Sequence, residues 1–226
     1  MKRLVATLVV MGLGTLLSAG PSNAQLLSYS VDAGAGFATN LTDTSGSGDT
    51  VLTTIPNVGV LDTSFGPVDF DVVQYVLDTV RTSSQTPESI AVNHSYTVRF
   101  ILGDFNVLGL DPANGFLGAP EFLDFTQDVN YTISNIRQNS ASNSPVVVNF
   151  VGPTSGMLGT VPVSISFVSL DVPGAPQASP LLPPGTFESI GAKTDRVTSV
   201  PEPGAMALLF ASAIPVTMIR RRARKA

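Results

Sequence analysis

Residues 89–102 read SIAVNHSYTVRFIL, and they alternate. Ile90, Val92, His94, Tyr96, Val98 and Phe100 interleave with Ala91, Asn93, Ser95, Thr97 and Arg99. A period of two sends these sets to opposite faces of a strand, whereas an amphipathic helix needs its apolar residues three and four apart. The pattern recurs at 68–80, where Val68, Phe70 and Val72 oppose Asp69 and Asp71, and again at 129–136, 144–152 and 161–170. Turn-forming clusters separate these runs: TSGSGDT, LDPANG, NSASNS and GPTSG. Strands at this spacing, punctuated by Gly, Pro, Asn and Ser, predict an all-β chain folded as a single β-sandwich or jelly-roll-like domain. Between the two chain ends, only 119–129 (APEFLDFTQDV) suggests a helical turn.

The chain start is of another kind. Lys2 and Arg3 precede an apolar run from Leu4 to Leu17, and Ser22-Asn23-Ala24 supplies small residues for a signal peptidase. This reads as a secretory signal helix over 1–24, cut between Ala24 and Gln25. A retained anchor is the weaker alternative, because the run is short and broken by Gly12 and Gly14. The expected organisation is then a signal peptide (1–24), a β-sandwich domain (25–171), a Pro-rich linker (172–199) and a C-terminal segment (200–226).

Between the two end segments, five basic residues (Arg81, Arg99, Arg137, Lys193, Arg196) stand against sixteen acidic ones, a formal −11. Such a surface repels phosphate backbones, which argues against a nucleic-acid partner. The chain has no cysteine, so disulfides, thiol nucleophiles and thiolate-bound metals are excluded. Its core must hold without covalent staples of that kind.

The last 27 residues are VPEPGAMALLFASAIPVTMIRRRARKA with Val200 at their head. Residues 205–219 carry no charge and would span about 22 Å as a helix, short of a ~30 Å bilayer core. Pro215 weakens that transmembrane helix further. Arg220, Arg221, Arg222, Arg224 and Lys225 follow and resist translocation. Pro201 and Pro203 favour extended backbone just ahead of the apolar run. The order of these parts (Pro201-Glu202-Pro203, a hydrophobic helix, a basic end) resembles the PEP-CTERM sorting signal of Gram-negative bacteria. That resemblance covers the tail alone. It implies an exosortase-like membrane protease/transpeptidase as partner, with Pro201, Glu202 and Pro203 as its recognition residues. It also implies passage through the inner membrane followed by release to the cell surface, the extracellular matrix or exopolysaccharide. The β domain would then serve a structural or adhesive role, including carbohydrate binding, and no catalysis is expected of it.

Candidate chemistry inside the domain is sparse. His94 is the single histidine and so the one available base for a Ser-His-Asp triad, but no G-x-S-x-G motif accompanies it, and it reads as a structural residue. Asp69 and Asp71 share a strand face about 7 Å apart at ~3.3 Å per residue. Glu121 lies close to Asp124, and Asp104 and Asp111 flank a loop. A polysaccharide hydrolase would need such a pair about 5–10 Å apart across a cleft. Solvated strand-face acids are the plainer account. No cofactor is called for, apart from calcium as a weak candidate: Asp104, Asn106, Asp111 and Asn114 offer loop oxygens, as do Asp43 and Asp49, without EF-hand spacing. Turn formation by Asp and Asn explains the same letters. A protein kept in the inner membrane by an uncut tail is the remaining alternative.

Overall fold

The alternating segments do become strands. In the computed structural model, residues 25–33, 40–43, 45–119 and 121–199 are described; the signal and tail segments with their proposed helices lie outside them. The order is β1 (Leu26–Ala33), β2 (Asn40–Thr42), β3 (Thr50–Pro56), β4 (Val58–Asp62), β5 (Val68–Thr79) and β6 (Glu88–Leu102). One helical turn, α1 (Phe105–Leu108), and a 3-10 turn (Pro112–Asn114) follow. Then come β7 (Leu123–Arg137), β8 (Ser140–Asn143), β9 (Val147–Val151), β10 (Ser155–Leu158), β11 (Val161–Asp171), β12 (Gln177–Ala178) and β13 (Phe187–Ser199).

Two sheets result. One runs β4-β1-β6-β7-β8 with β9 also on β7; the other runs β10-β11-β13-β5-β3-β2 with β12 also on β13. All pairings between these strands are antiparallel. The sheets meet face to face across one core. Phe70 of the second sheet packs edge-on against Tyr29 (4.7 Å between centroids) and Phe100 (5.8 Å) of the first, and Tyr75 stands at 90° to Tyr131. Ile90, Val92, Val98, Phe100, Val129 and Ile133 complete the first sheet's contribution, each fully buried. Side chains of this size each add about 1.5–3 kcal/mol when withdrawn from water. That is how a chain without disulfides holds together.

Three sequence expectations change. First, β5 does not keep one face. Val72 and Val73 are both buried, and the register against β13 slips by one there, so the inward set is Phe70 and Val72 before the bulge and Val73, Tyr75, Leu77 and Thr79 after it. A bulge adds one residue and exchanges the faces beyond it. Second, the described residues of 119–129 hold no helical turn; β7 begins at Leu123, and the helical turn sits at Phe105–Leu108 instead.

Third, the Pro-rich linker over 172–199 is not a linker along its length. Residues 173–184 do carry the prolines and only two strand residues, but Phe187–Ser199 forms a thirteen-residue strand between β11 and β5. Its buried positions are Phe187, Gly191, Lys193, Asp195, Val197 and Ser199. Four of these six are not apolar, so no hydrophobic alternation announces the strand. Gly191 is required by a crossing of backbones: a Cβ there would lie 2.1 Å from the Asp171 carbonyl oxygen.

Candidate functional site

Of the carboxylate pairs singled out from sequence, Asp69, Asp71 and Asp124 are engaged by neighbouring side chains. Asp69 receives two hydrogen bonds from Arg196, at 2.6 and 2.9 Å, and Asp71 accepts from the Thr194 hydroxyl at 2.7 Å. Asp124 holds Arg99 through two bonds of 2.7 Å, and the same guanidinium donates to the Gly115 carbonyl and lies over the Phe122 ring. Arg99 thus fastens the loop after β6 onto β7. Glu121 is exposed and lines a small depression with Ile101, Leu102, Leu108 and Leu158. A second depression, beside β10 and β11, is lined by Ser155, Gly156, Met157, Pro162, Val163, Ser164 and Thr198, with no carboxylate.

The calcium candidates fall into turns. Asp104 caps α1, accepting from the Asn106 backbone N–H at 2.8 Å. Asp111 caps the 3-10 turn through the Ala113 N–H at 2.9 Å, and its second oxygen accepts from the Asn114 side chain at 2.6 Å. Each cap meets donors that the first turn of a helix leaves unpaired. Among the described residues, no group of three or more His, Cys, Asp or Glu is placed to hold a metal ion.

Asp43 organises a third loop. Its carboxylate accepts from the Ser45 and Ser47 hydroxyls and from the Gly48 N–H, and the Ser45 bond leads in pulling its pKa down to about 2. Beside it, Glu88 sits buried at the start of β6 and accepts from Ser47, Thr50 and Arg81. Burial pushes the Glu88 carboxyl up, but these donors outweigh it and hold it below the usual range. Arg81 reaches Asp49 as well, at 3.2 Å. This network closes one end of the core.

His94 is buried at the centre of β6. Its Nε2 lies 3.1 Å from the Tyr75 hydroxyl across the core, and burial lowers its pKa to about 4. A neutral, enclosed imidazole with a tyrosine partner is a structural group.

Sequence reasoning missed the most unusual chemistry. Lys193 and Asp195 of β13 have fully buried side chains, and both meet Gln127 of β7, also fully buried. Lys193 Nζ donates to Asp195 Oδ1 and to Gln127 Oε1, while Gln127 Nε2 donates to Asp195 Oδ2 at 2.7 Å. The three groups close a ring of hydrogen bonds between the sheets. Tyr96, Phe150 and Phe167 surround the amine, their centroids 5.6–5.8 Å from Nζ. Burial lowers the Lys193 pKa and raises that of Asp195. Both shifts favour the uncharged pair. The signal that could have found this cluster is the spacing Lys193-x-Asp195 together with Gln127 among Phe125, Val129 and Tyr131, three polar letters in inward register.

The two ends of the β unit meet. Gln25 donates its backbone N–H to Ser64 Oγ at 2.8 Å and accepts from Thr63 through its carbonyl. Its side-chain oxygen accepts from Ser199 Oγ at 2.7 Å, and Thr63 and Ser199 hydroxyls lie 2.6 Å apart. Pro201, Glu202, Pro203, Ala24 and the basic cluster Arg220, Arg221, Arg222, Arg224 and Lys225 lie outside the described residues. Among the described residues no helix is long and apolar enough to cross a membrane.

Comparison of the chain with protein-family models, with curated proteins and with solved structures finds no match in any of the three.

Proposed function

We propose that this chain is an exported cell-surface or extracellular-matrix protein: a non-catalytic β-sandwich with a structural or adhesive role, sorted by its C-terminal tail. The observation that carries the reading is the meeting of Gln25 and Ser199. The β unit starts one residue after the proposed signal-peptidase bond and ends one residue before Val200-Pro201-Glu202-Pro203. Because these ends touch, the points where the leader and the tail join the domain are adjacent. Both segments carry positive charge on their far side, Lys2-Arg3 and Arg220–Lys225. One membrane can hold both at once with the domain outside. An exosortase-like enzyme then acts on the Pro-Glu-Pro stretch, and both cuts fall outside the described strands.

The sheet faces suit a scaffold. The outward acids are tied to Arg196, Thr194 and Arg99, which leaves a rigid, net negative surface of the kind that tolerates a matrix of hydrated polysaccharide. Intact mass of the protein from the growth medium and from membranes of its host tests the sorting. The reading requires a medium form that starts at Gln25 and ends between Val200 and Gly204. A membrane form that still carries Arg220–Ala226, with none in the medium, replaces it with a permanent anchor.

A further inference from the structure

We propose that Lys193 and Gln127 become joined by an intramolecular amide bond, with Asp195 as the proton carrier, so that the two sheets are covalently stapled. Three features lead there. An amine, a carboxamide and a carboxyl group are mutually hydrogen-bonded, and all three side chains are fully buried. The amine donates to the carboxamide oxygen, one bond from the electrophilic carbon. Asp195 touches both reacting groups, one oxygen on Nζ and the other on the nitrogen that would leave.

The step balances without an oxidant or a cofactor. Neutral Nζ attacks Cδ of Gln127, and Asp195 gives its proton through Oδ2 to Nε2. The tetrahedral carbon then loses that nitrogen as ammonia, and the proton released by Nζ returns to Asp195 at Oδ1. One C–N bond forms, one breaks, and Asp195 ends as it began. Reaction needs a neutral amine and a protonated acid; burial shifts both groups in that direction, against the mutual attraction of the charged pair. Held contact supplies what a dilute amine lacks, since fixed neighbours react with effective concentrations of about 10⁵–10⁸ M.

The staple has a mechanical sense. Gln127 is in β7 of one sheet and Lys193 in β13 of the other. β13 leads straight into Val200 and the tail. Any pull on the chain's C-terminal side enters the domain through β13, and the bond passes it across to the opposite sheet. The inference stands apart from the sorting proposal, because it concerns the folded domain in either the released or the anchored form.

Tryptic peptide mapping of the full protein recovered from its host, after denaturation, tests it. Trypsin should fail to cut after Lys193, and a branched peptide should join 100–137 to 138–196, lighter than the sum of its parts by one ammonia. Mapping is needed because an N-terminal Gln25 can also lose ammonia by cyclising. Asp195→Asn, which keeps the shape and removes the acid, should yield the two peptides unlinked. A free peptide ending at Lys193 alongside an unmodified 100–137 in the wild-type protein overturns the proposal. A branched peptide retained in Asp195→Asn overturns the role given to Asp195.

Discussion

Strands β6 and β13 occupy equivalent places, each long, each internal to its sheet, each burying alternate residues. Their buried faces have opposite chemistry. Beyond buried Glu88 at its start, β6 turns Ile90, Val92, His94, Tyr96, Val98 and Phe100 inward, whereas β13, beyond buried Phe187 at its start, turns Gly191, Lys193, Asp195, Val197 and Ser199 inward. The pleat decides which residues are buried; what faces them decides which residues are tolerated. Lys193 and Asp195 find Gln127, Ser199 finds Thr63 and Gln25, and Gly191 lies under the backbone of Asp171. Apolar β6 needs only a generic apolar neighbour. Polar β13 needs particular groups, and they come from residues 66 or more positions away in the chain.

The largest effect should come from breaking the polar set in half. Lys193→Met removes the group that ties Asp195 and Gln127 together, leaves both buried without that partner, and should cost about 3–5 kcal/mol. Urea unfolding followed by fluorescence or circular dichroism gives the number. Replacing all three groups, in Lys193→Met/Asp195→Leu/Gln127→Leu, should recover a large part of that loss, because a packed apolar cluster avoids the desolvation of charge. A triple variant no more stable than the single one would mean that β13 requires its polar face for more than mutual satisfaction.

His94 is the exception on β6, and pH isolates it. Burial lowers its pKa from 6.5 to about 4. In the unfolded chain the imidazole takes up a proton near pH 6.5; in the folded one it stays neutral until about pH 4. The unfolded state therefore binds more protons in that window, and stability is full above pH 6.5 and falls as pH drops toward 4. The loss should reach roughly 3 kcal/mol at about 1.4 kcal/mol per pKa unit. His94→Phe should flatten the slope between pH 6.5 and 4.5. The carboxylates of Asp43 and Glu88 act at lower pH, since both are held below their ordinary values. A slope that persists in His94→Phe would place the sensitive group elsewhere.

This contrast also explains what could be read in advance. All-β architecture, the position of β6 and the turn role of Asp104 and Asp111 follow from local rules: period-two patterning and side chains that bond their own backbone. They need no knowledge of the opposite sheet. The bulge at Val72-Val73 was visible only as two adjacent valines, which a fully buried strand would also show. β13 was hidden because its inward letters look like a solvent face and because Pro173, Pro176, Pro180, Pro183 and Pro184 lend their texture to the residues that follow. The Lys193–Asp195–Gln127 cluster depends on which strands face one another, a property of topology that a single sequence does not print.

A smaller effect is expected where β13 is constrained by space instead of charge. Gly191→Ala places a methyl group against the Asp171 carbonyl and the Pro173 nitrogen, so the 171–173 backbone must move. Overpacking of this kind costs about 1–3 kcal/mol. Denaturant midpoints of the variant and of an exposed control, Ala91→Ser on β6, measure it. If the two midpoints agree, the crossing of Asp171 over β13 is looser than its contact distance implies, and Gly191 is not what fixes it.

The smallest effect tests whether burial, and not ion pairing as such, sets β13 apart. Arg196 is three residues beyond Lys193 on the opposite face of the same strand, and it also pairs with an aspartate, Asp69 of neighbouring β5. Its geometry is good, with two hydrogen bonds under 3 Å, yet both side chains are about half exposed, at 49% and 45%. Water screens the pair and already solvates each partner when the other is removed, so the contact adds little. Arg196→Ala should leave the unfolding midpoint close to that of the wild type, and the small difference should disappear in added salt. Lys193→Met should keep its full penalty in the same salt, because the whole cluster is buried out of reach of counterions. Equal losses from the two variants would break the comparison: the polarity of β13 would then matter on both faces, and the strand would be held by its ions wherever they point. Unequal losses locate the whole difference between β13 and β6 on the face that meets the opposite sheet.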